Sequence, residues 1–425
     1  MKRRQGRFTR LTIRMTMADL TVLDVNLHGK RVGTLTRLPG DQTLFAFDQA
    51  YIDNPNRPTL SLSFHDAAGG IIDDVKPTRT RVPPFFSNLL PEGPLRDYLA
   101  KRAGIHPGRE FFLLWILGQD LPGAVTITPA GGEARLSLPE NEAESSPNNS
   151  DDSPLRFSLA GVQLKFSAVM EAAGGLTIPA QGIGGSWIVK LPSMKYEGVP
   201  ENEFGMMELA RQIGIDIPEV RLVPLDRIEG LPADMARLSG NALAVRRFDR
   251  TDKGQTVHME DFAQVFGLYP EKKYERASYR NIAEVLWAET GDRGIAEFIR
   301  RLVFNTLIGN ADMHLKNWSL IYPDGKKAAL APGYDYLSTI AYLPDIRMAL
   351  TLGRSKQMTD LSLDQLSYLA AKARLPEKLV HDAALETVER FMSIWEKWRQ
   401  SKRTAQSITE PIDELLPRIP LVNER

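Results

Sequence analysis

Residues 309–317 have the sequence GNADMHLKN, in which Asp312 precedes Asn317 by five positions. In the catalytic loop of protein kinases, an aspartate accepts the proton of the substrate hydroxyl and an asparagine five positions later binds magnesium. The same spacing also arises by chance, and any loop that follows an apolar helix contains polar residues. The pair therefore raises phosphoryl transfer as a hypothesis and leaves an ordinary polar loop as the alternative.

Asp335 is a second candidate magnesium ligand, because it follows a predicted hairpin. WSLIY at 318–322 has the pattern of a strand, PDGK at 323–326 that of a tight turn, and AALAPGYDY contains the returning strand. Magnesium prefers hard oxygen ligands from one or two side chains, completed by phosphate oxygens and water. The alternative is that Asp335 only caps the turn before Tyr336, and the sequence favours neither interpretation.

The segment SWIVKLP predicts a strand in which Lys190 is the charged residue. Such a charge is costly inside an apolar strand unless it is paired or faces a ligand, whereas it costs little on the exposed face of an edge strand. Glu203 lies near the start of the next predicted helix, NEFGMMELARQIG. It could pair with Lys190 or simply stabilise the helix dipole, and its position slightly favours the dipole interpretation.

Two further segments lie where nucleotide-binding elements would be expected along the chain, but neither has a specific sequence pattern. In SLAGVQLKFS, at 158–167, Ala160 and Gly161 would let backbone amides approach a phosphate, although G-x-G-x-x-G and Walker sequences are both lacking. RRF at 246–248 ends the predicted strand ALAVRRF and could connect two lobes around an adenine ring. Each signal is weak alone, but their order along the chain is the order found in kinases.

The composition excludes several classes of site. The chain has 425 residues, and its 53 basic and 53 acidic residues give a formal net charge of zero, so the overall charge does not indicate a polyanionic partner. It contains no cysteine, which excludes disulfides and thiolate metal sites, and its six histidines show no metal-ligand spacing. Neither a membrane-spanning run nor a signal-peptide core is found, so a cytoplasmic location is expected.

The first part of the chain predicts a small antiparallel sheet followed by helices. Pro94 and Gly104 mark the start and end of a helix, and FFLLWILG at 111–118 is apolar on all sides, as in a buried helix. The sheet is predicted from five short runs of β-type residues within residues 7–65: FTRLTIRMTM, TVLDVNL, RVGTLTRL, TLFAFD and TLSLSF.

The rest of the chain predicts a linker and then strands that give way to helices. The acidic segment SLPENEAESSPNNSDDSP is too polar to order itself, which indicates a mobile linker. LKFSAVM, GSWIVKLP and ALAVRRF are strand-like, a helix ends at Gly214, and residues 281–312 and 356–400 have helical periodicity. The predicted fold class is α+β, with a two-lobed second part.

Together these segments resemble the HipA family, the serine/threonine kinases of bacterial toxin–antitoxin pairs. The resemblance covers about residues 20–400 and rests on FFSNLLPEGPLRDYL, FSLAGVQLKFS, WIVKLP, NEFGMMELARQIGI, ALAVRRFDR, EDFAQVFGL, IGNADMHLKN and LAPGYDY. It implies a small antiparallel β module with helices, followed by a two-lobed protein-kinase-like core with an all-helical C-terminal lobe. The implied divisions are the module at 1–130, the linker at 131–155, the part of the core with the phosphate loop and lysine at 156–250, and the helical lobe at 251–425.

The resemblance also assigns roles to matching residues. Asp312 matches the catalytic base, Asn317 and Asp335 match the magnesium ligands, and Ser158 matches a serine that such kinases phosphorylate in themselves. Asp261 lies in a further family motif of unassigned role. The residues that the resemblance places around ATP are Leu159, Ala160, Gly161, Val162, Gln163, Leu164 and Lys165 in the phosphate loop, Lys190, the hinge residues Arg246, Arg247 and Phe248, and His314, Lys316, Asn317 and Asp335.

Two positions depart from the family pattern. Leu164 replaces an acidic residue of the phosphate loop, so the contacts of that loop with ATP are expected to differ, and Arg246 replaces an acidic hinge residue. No chemically required group is lost by either change.

The resemblance implies an ATP- and Mg²⁺-dependent serine/threonine kinase that acts as a toxin. Its expected target is an aminoacyl-tRNA synthetase, and its expected partner is a helix-turn-helix antitoxin of the HipB kind, through which it would meet operator DNA. No membrane partner is expected. Two alternatives remain at this stage, namely a regulator that binds antitoxin and DNA without phosphoryl transfer, and a kinase of small molecules.

Overall fold

The computed structural model describes residues 21–131, 165–170, 175–177, 185–231, 235 and 238–424. The predicted first strand, FTRLTIRMTM, and nearly all of the predicted linker lie outside these residues. The N-terminal module is built on a five-stranded antiparallel sheet with the order β4-β3-β2-β1-β5. Its strands are β1 (Val22–Leu27), β2 (Lys30–Leu38), β3 (Gln42–Phe47), β4 (Thr78–Arg79) and β5 (Val125–Pro129).

The alternation of apolar residues explains why this sheet has one buried face. Leu23, Val25 and Leu27 of β1 are all fully buried, while the residues between them are partly exposed. The predicted strand TLSLSF is wrong, since Leu62–Phe64 forms a 3₁₀ turn. The Ser61 side chain accepts the backbone N–H of Ser63, and the Glu260 carboxylate accepts that of Leu62, so side chains replace a neighbouring strand.

Four helices cover the buried face of the N-terminal sheet. Phe111, Phe112, Leu113 and Leu114 are all buried, which confirms the helix predicted from FFLLWILG. Gly104, at a φ of 66°, follows the end of the third helix as predicted. The helices are α1 (Gln49–Ile52), α2 (Pro84–Ser87), α3 (Gly93–Arg102) and α4 (Glu110–Leu117).

The second part of the chain begins with a six-stranded sheet of order β10-β7-β6-β8-β11-β9. Helix α5 (Val199–Gln212) packs on this sheet through Met206 and Leu209, which share a buried cluster with Leu243 and Val245. It ends just before Gly214, as predicted. The strands are β6 (Lys165–Met170), β7 (Leu176–Thr177), β8 (Trp187–Lys190), β9 (Val220–Pro224), β10 (Ile228–Glu229) and β11 (Asn241–Arg246).

The C-terminal lobe is mainly helical. Its helices are α6 (Phe262–Val265), α7 (Tyr279–Leu307), α8 (Leu363–Ala373), α9 (Glu377–Gln400), α10 (Gln406–Leu415) and α11 (Pro420–Asn423). The long helix α7 is interrupted at Gly291, whose backbone is not helical. Helices α7, α8 and α9 pack together around one large apolar cluster that includes Phe298, Leu366 and Phe391.

Two small sheets make the lobe less purely helical than predicted. The strands β12 (His258–Asp261), β13 (Ser319–Tyr322) and β14 (Ala329–Leu330) form one sheet, and β15 (Arg347–Leu352) pairs with β16 (Ser355–Gln357). The predicted hairpin is therefore present, but β14 has only two residues and Asp335 lies beyond it. Strands β12 and β16 have only four and three residues and carry little periodicity, which explains why the sequence did not predict them.

The N-terminal module contacts the rest of the chain through buried polar groups. The His258 ring lies 2.8 Å from the carbonyl oxygen of Leu60, and the backbone N–H of Gly123 donates to Asp249 at 2.8 Å. Such groups would lose their hydrogen bonds if the module moved away, so its position is specific. Among the helices described, none combines the length and the apolar composition needed to cross a bilayer.

Candidate active site

The loop that contains Asp312 begins where helix α7 ends. Gly309 follows the helix with a φ of 67°, a left-handed conformation that favours glycine. A Cβ atom at this position would lie 2.3 Å from the Ile340 side chain, so a larger residue would force that side chain to move. This tight exit brings residues 310–317 back over the end of the helix, and a 3₁₀ turn, Leu315–Asn317, closes the loop.

Asn310 connects this loop to Asp335. Its side-chain oxygen accepts the backbone N–H of Asp312 at 3.0 Å, and its side-chain nitrogen donates to the Asp335 carbonyl oxygen at 3.3 Å. The Asn317 side chain closes the loop by donating to the carbonyl oxygen of Asp312 at 2.9 Å. The structure therefore brings together the three residues that the sequence predicted as base and magnesium ligands.

The Asp312 carboxylate accepts a hydrogen bond from a partly buried tyrosine. The Tyr274 hydroxyl donates to Asp312 Oδ1 at 2.5 Å. Burial raises the pKa of Asp312 to about 6, although the Tyr274 hydrogen bond opposes the rise. A pKa that is raised but still below 7 leaves the carboxylate ionised at neutral pH and makes it a stronger base than an ordinary aspartate. These properties suit a group that accepts a proton near pH 7.

Lys190, at the end of β8, forms ion pairs with Glu203 of α5 and with Asp335. The predicted dipole role of Glu203 is therefore wrong, because its buried side chain points to the lysine. Burial alone would lower the pKa of Lys190, but the two carboxylates hold it above its ordinary value. Lys165 adds a second cation 3.2 Å from Asp335, and despite burial the two lysines keep the pKa of Asp335 far below its ordinary value.

The predicted hinge residues lie at the end of β11, the strand that pairs with β8, and have different surroundings. Arg246 is half-exposed and pairs with Glu219 and Asp252, whereas Arg247 is buried and pairs with Asp120 and Asp249. The Phe248 ring packs against the Tyr334 ring at a tilt of 35°, with ring centroids 5.7 Å apart. Arg247 thus connects the core to the N-terminal module, to which Asp120 belongs.

In the same loop His314 is buried and Lys316 is partly buried. The His314 ring contacts Tyr274 edge-on at 4.9 Å, and burial lowers its pKa to about 3, so the ring is neutral. The Lys316 ammonium lies 3.0 Å from the Asn88 carbonyl oxygen and 3.1 Å from Asp261 Oδ2. Its contacts are thus with the N-terminal module and with the start of α6.

Part of the predicted site lies outside the described residues. This applies to Ser158 and to the phosphate-loop residues Leu159, Ala160, Gly161, Val162, Gln163 and Leu164. Lys165, the last residue of that loop, is described and starts β6.

Sequence reasoning missed Tyr274 and the N-terminal contributors to the site. Tyr274 is 38 positions from Asp312, and Asn88 is 228 positions from Lys316, so local spacing carries no signal for either contact. Asn310 could have been found, since it belongs to the segment GNADMHLKN.

The residues present are suited to magnesium and to a nucleoside triphosphate. Asn317 donates through its amide nitrogen, which turns its amide oxygen away from the Asp312 carbonyl, and Asp335 offers an ionised carboxylate. These are hard oxygen ligands of the kind that magnesium takes together with phosphate oxygens and water. Lys190 and Lys165, beside Asp335, supply the positive charge that phosphates require.

Comparisons with known proteins identify two matching family models. The model for the HipA N-terminal domain matches residues 23–128, and the model for the HipA-like C-terminal domain matches residues 157–395. A putative kinase of Sinorhizobium fredii, Y4dM, is 56% identical over 96% of this chain and 99% of its own length. The serine/threonine-protein kinase toxin HipA of Shewanella oneidensis is 28% identical over 77% of each chain.

A solved structure has the same fold over nearly the whole chain. It is the complex of HipA, HipB and operator DNA from Shewanella oneidensis, and the match has a TM-score of 0.73 with 23% identity. The alignment covers 95% of this chain and 98% of the solved one.

Proposed function

We propose, from the premise that this chain belongs to the HipA family of kinases, that it transfers the γ-phosphoryl group of ATP to a serine or threonine of a protein. The observation that carries the proposal is the connection made by Asn310. It joins the loop of Asp312 to Asp335, which in turn pairs with Lys190. The base, the metal ligand and the phosphate-binding cation therefore form one connected unit, in which Lys190 is buried and the two aspartates are partly exposed.

Each residue has a definable task in the transfer. Asp312 accepts the proton of the substrate hydroxyl while the hydroxyl oxygen attacks the γ-phosphorus. The bond between the γ-phosphorus and the oxygen that stays with ADP breaks. Tyr274 fixes the direction of the Asp312 carboxylate. Lys190 and Lys165 balance phosphate charge, and Glu203 holds Lys190 in place. Asn317 and Asp335 would hold magnesium, which supplies further neutralisation of the phosphate charge when bound.

The relatives support a proposed biological role. A relative is named a serine/threonine-protein kinase toxin, and the protein of similar fold is complexed with HipB and operator DNA. The proposed role is therefore that of a toxin, restrained by a helix-turn-helix antitoxin of the HipB kind that also brings it to operator DNA. The sequence resemblance makes an aminoacyl-tRNA synthetase the proposed target, and a cytoplasmic location fits such a target.

Self-control through Ser158 is part of the same proposal. Phosphorylation would add roughly −1.5 to −2 charges directly before the phosphate loop, where they would repel the ATP phosphates. The expected outcome is that Ser158 becomes phosphorylated when the purified protein is incubated with ATP, and that the modified fraction no longer binds ATP. Mass spectrometry followed by a nucleotide-binding assay tests both parts, and normal ATP binding by the phosphorylated form would contradict the second.

The transfer itself is tested by incubation of the protein with γ-labelled ATP, magnesium and a cell lysate. The expected result is a labelled protein band that requires magnesium and is absent with Asp312→Asn. This variant keeps the size of the side chain but cannot accept the proton, so its rate should fall at least about 10²-fold while ATP binding persists. Label only in small molecules would support a metabolite kinase, and ATP binding without any transfer would support a regulator.

A further inference from the structure

Lys316 has all the hydrogen-bond acceptors that its ammonium group can use, and none of them belongs to the predicted nucleotide site. Its Nζ lies 3.0 Å from the Asn88 carbonyl oxygen, 3.1 Å from Asn88 Oδ1 and 3.1 Å from Asp261 Oδ2. A lysine ammonium has three donors, so these contacts occupy it fully. Glu92 adds a more distant oxygen at 3.4 Å.

We propose that Lys316 is a positioning residue, which ties the loop of Asp312 and Asn317 to Asp261 and to Asn88 of the N-terminal module, instead of contacting nucleotide phosphates. This inference rests on the proposed kinase function, because it explains how that site is held in place. It also gives a task to Asp261, for which the sequence motif offered none.

The acceptors of Lys316 are themselves fixed, which makes the connection rigid. Asp261 caps helix α6 with its other oxygen, which accepts the backbone N–H of Gln264 at 2.9 Å. Asn88 donates its side-chain amide to the carbonyl oxygens of Pro84 at 2.9 Å and Leu268 at 2.7 Å. Lys316 is therefore held between two anchored groups from different parts of the chain.

A second connection runs parallel to the first. Glu92 accepts from Lys273 Nζ at 2.8 Å, and the Lys273 carbonyl oxygen accepts the backbone N–H of Leu315 in the loop. Lys273 directly precedes Tyr274, the residue that donates to Asp312. The N-terminal module thus reaches the base and its partner by two routes.

A phosphate-binding role for Lys316 would require these contacts to break. Asp261 has a side chain that is only 10% exposed, and it would then be left without its cation. Removing the partner of a buried charge is strongly unfavourable, so the arrangement favours a lysine that stays in place. Correct placement matters for rate, because a displacement of about 1 Å in a catalytic group can cost about 10²-fold.

The test compares turnover with ATP binding in two variants of the full-length protein. Lys316→Met should lower kcat by about 10- to 100-fold, because the loop loses its anchor, while the dissociation constant for ATP changes less than about threefold. Asp261→Asn should act in the same direction, since asparagine still caps the helix but cannot balance the lysine charge. The double variant should be no worse than the more impaired single variant, since both act on one interaction.

The matched control is Glu271→Gln. Glu271 pairs with Arg81 of the N-terminal module, but both side chains are about half exposed, at 50% and 43%. This variant should change kcat less than about twofold, since exposed pairs contribute little.

A Lys316→Met protein that keeps its kcat but binds ATP about tenfold more weakly or worse would overturn the inference. If that variant does not fold, Asp261→Asn decides alone, and an unchanged kcat would overturn the inference. Failure of the parent protein to transfer phosphate under any condition would instead contradict the proposed function, so the two failures are distinguishable.

Discussion

Lys190 pairs with one buried and one partly exposed carboxylate, and this makes it important for stability as well as for phosphate binding. Its side chain is 6% exposed, and it pairs with Glu203 and Asp335. Lys190→Met should lower the free energy of unfolding by about 3 kcal/mol, because both carboxylates lose a buried partner, although Lys165 still balances Asp335. Urea denaturation at neutral pH measures the change.

A double variant separates the effect of the unpaired charge from the effect of the changed packing. Lys190→Met with Glu203→Gln should regain at least about half of the lost stability, because the unpaired buried charge is gone, yet it should remain inactive. As a control, Lys378→Met removes the cation of an exposed pair with Asp382 and should change stability by less than about 0.5 kcal/mol. A Lys190→Met protein as stable as the parent would show that the buried pair contributes nothing.

At the residue scale, the sequence predicted the chemistry of side chains but not their partners. A lysine inside an apolar strand indicated a paired or ligand-facing charge, and Lys190 is indeed buried and paired. Its partner Asp335, however, lies 145 positions away, and the contact depends on how two sheets and a loop meet. Likewise, nothing local in the sequence could show that Lys316 points to Asn88.

Gly309 determines how helix α7 leads into the loop of Asp312. Gly309→Ala should destabilise the protein by at least about 2 kcal/mol, since a left-handed conformation costs alanine about 1 kcal/mol and its Cβ would lie 2.3 Å from Ile340. Activity should fall as well, because Asn310 is the next residue. Thermal unfolding and the transfer assay measure the two effects.

Gly267 provides the matched control for this substitution. It also has a positive φ, of 60°, but no atom lies within 4 Å of the place that a Cβ would take there. Gly267→Ala should therefore lower the free energy of unfolding by only about 1 kcal/mol, which is the cost of the left-handed conformation for alanine. It should leave activity unchanged. Equal losses in both variants would mean that the contact with Ile340 relaxes without cost.

Glu260 on β12 joins three elements and makes stability depend on pH. Its carboxylate accepts from Ser61, from the Leu62 backbone and from Tyr322. Burial raises its pKa from 4.5 to about 7, despite these hydrogen bonds. As pH rises through this interval, the unfolded chain loses the proton first, so unfolding becomes more favourable by about 1.4 kcal/mol per pH unit, or roughly 3 kcal/mol in total.

Glu260→Gln should remove this dependence, because glutamine has the same shape and does not ionise. The stability of the variant relative to the parent should therefore increase between about pH 5 and about pH 7.5. Urea denaturation of both proteins at these two values measures the change. A stability difference that is the same at both values would show that Glu260 titrates normally in the folded protein.

At the element scale, the sequence was most informative where periodicity is long. The helix at 111–118, the ends of α3 and α5, and most of the two long helical stretches of the C-terminal lobe were predicted correctly. Residues 308–312 and 356–362, also predicted as helix, lie outside the α-helices. The 3₁₀ turn Leu62–Phe64 was predicted as a strand, because alternation was present but the partner that satisfies its backbone is a distant carboxylate, Glu260. Short elements whose hydrogen bonds come from elsewhere cannot be predicted from local pattern.

At the scale of the whole molecule, the order of strands, helices and motifs was sufficient to predict an α+β fold with a separate N-terminal module. The docking of that module was not predictable, since it depends on contacts between residues far apart in sequence. Asp120 pairs with Arg247 and Arg250, and the Leu121 carbonyl oxygen accepts from both arginines. The interface thus contains buried charges, which are costly unless every partner is in place.

This interface predicts that the module and the core unfold together. Separation would leave Arg247, Asp249, Glu260 and Lys316 without partners from the module, and each loss is unfavourable. Calorimetry of the full chain should therefore show one transition, with equal calorimetric and van't Hoff enthalpies.

A chain that starts at residue 157, where the match to the C-terminal family model begins, should unfold at a lower temperature and lack transfer activity. Two separate transitions in the full chain, or a shortened chain as stable and active as the parent, would mean that the module is an independent domain.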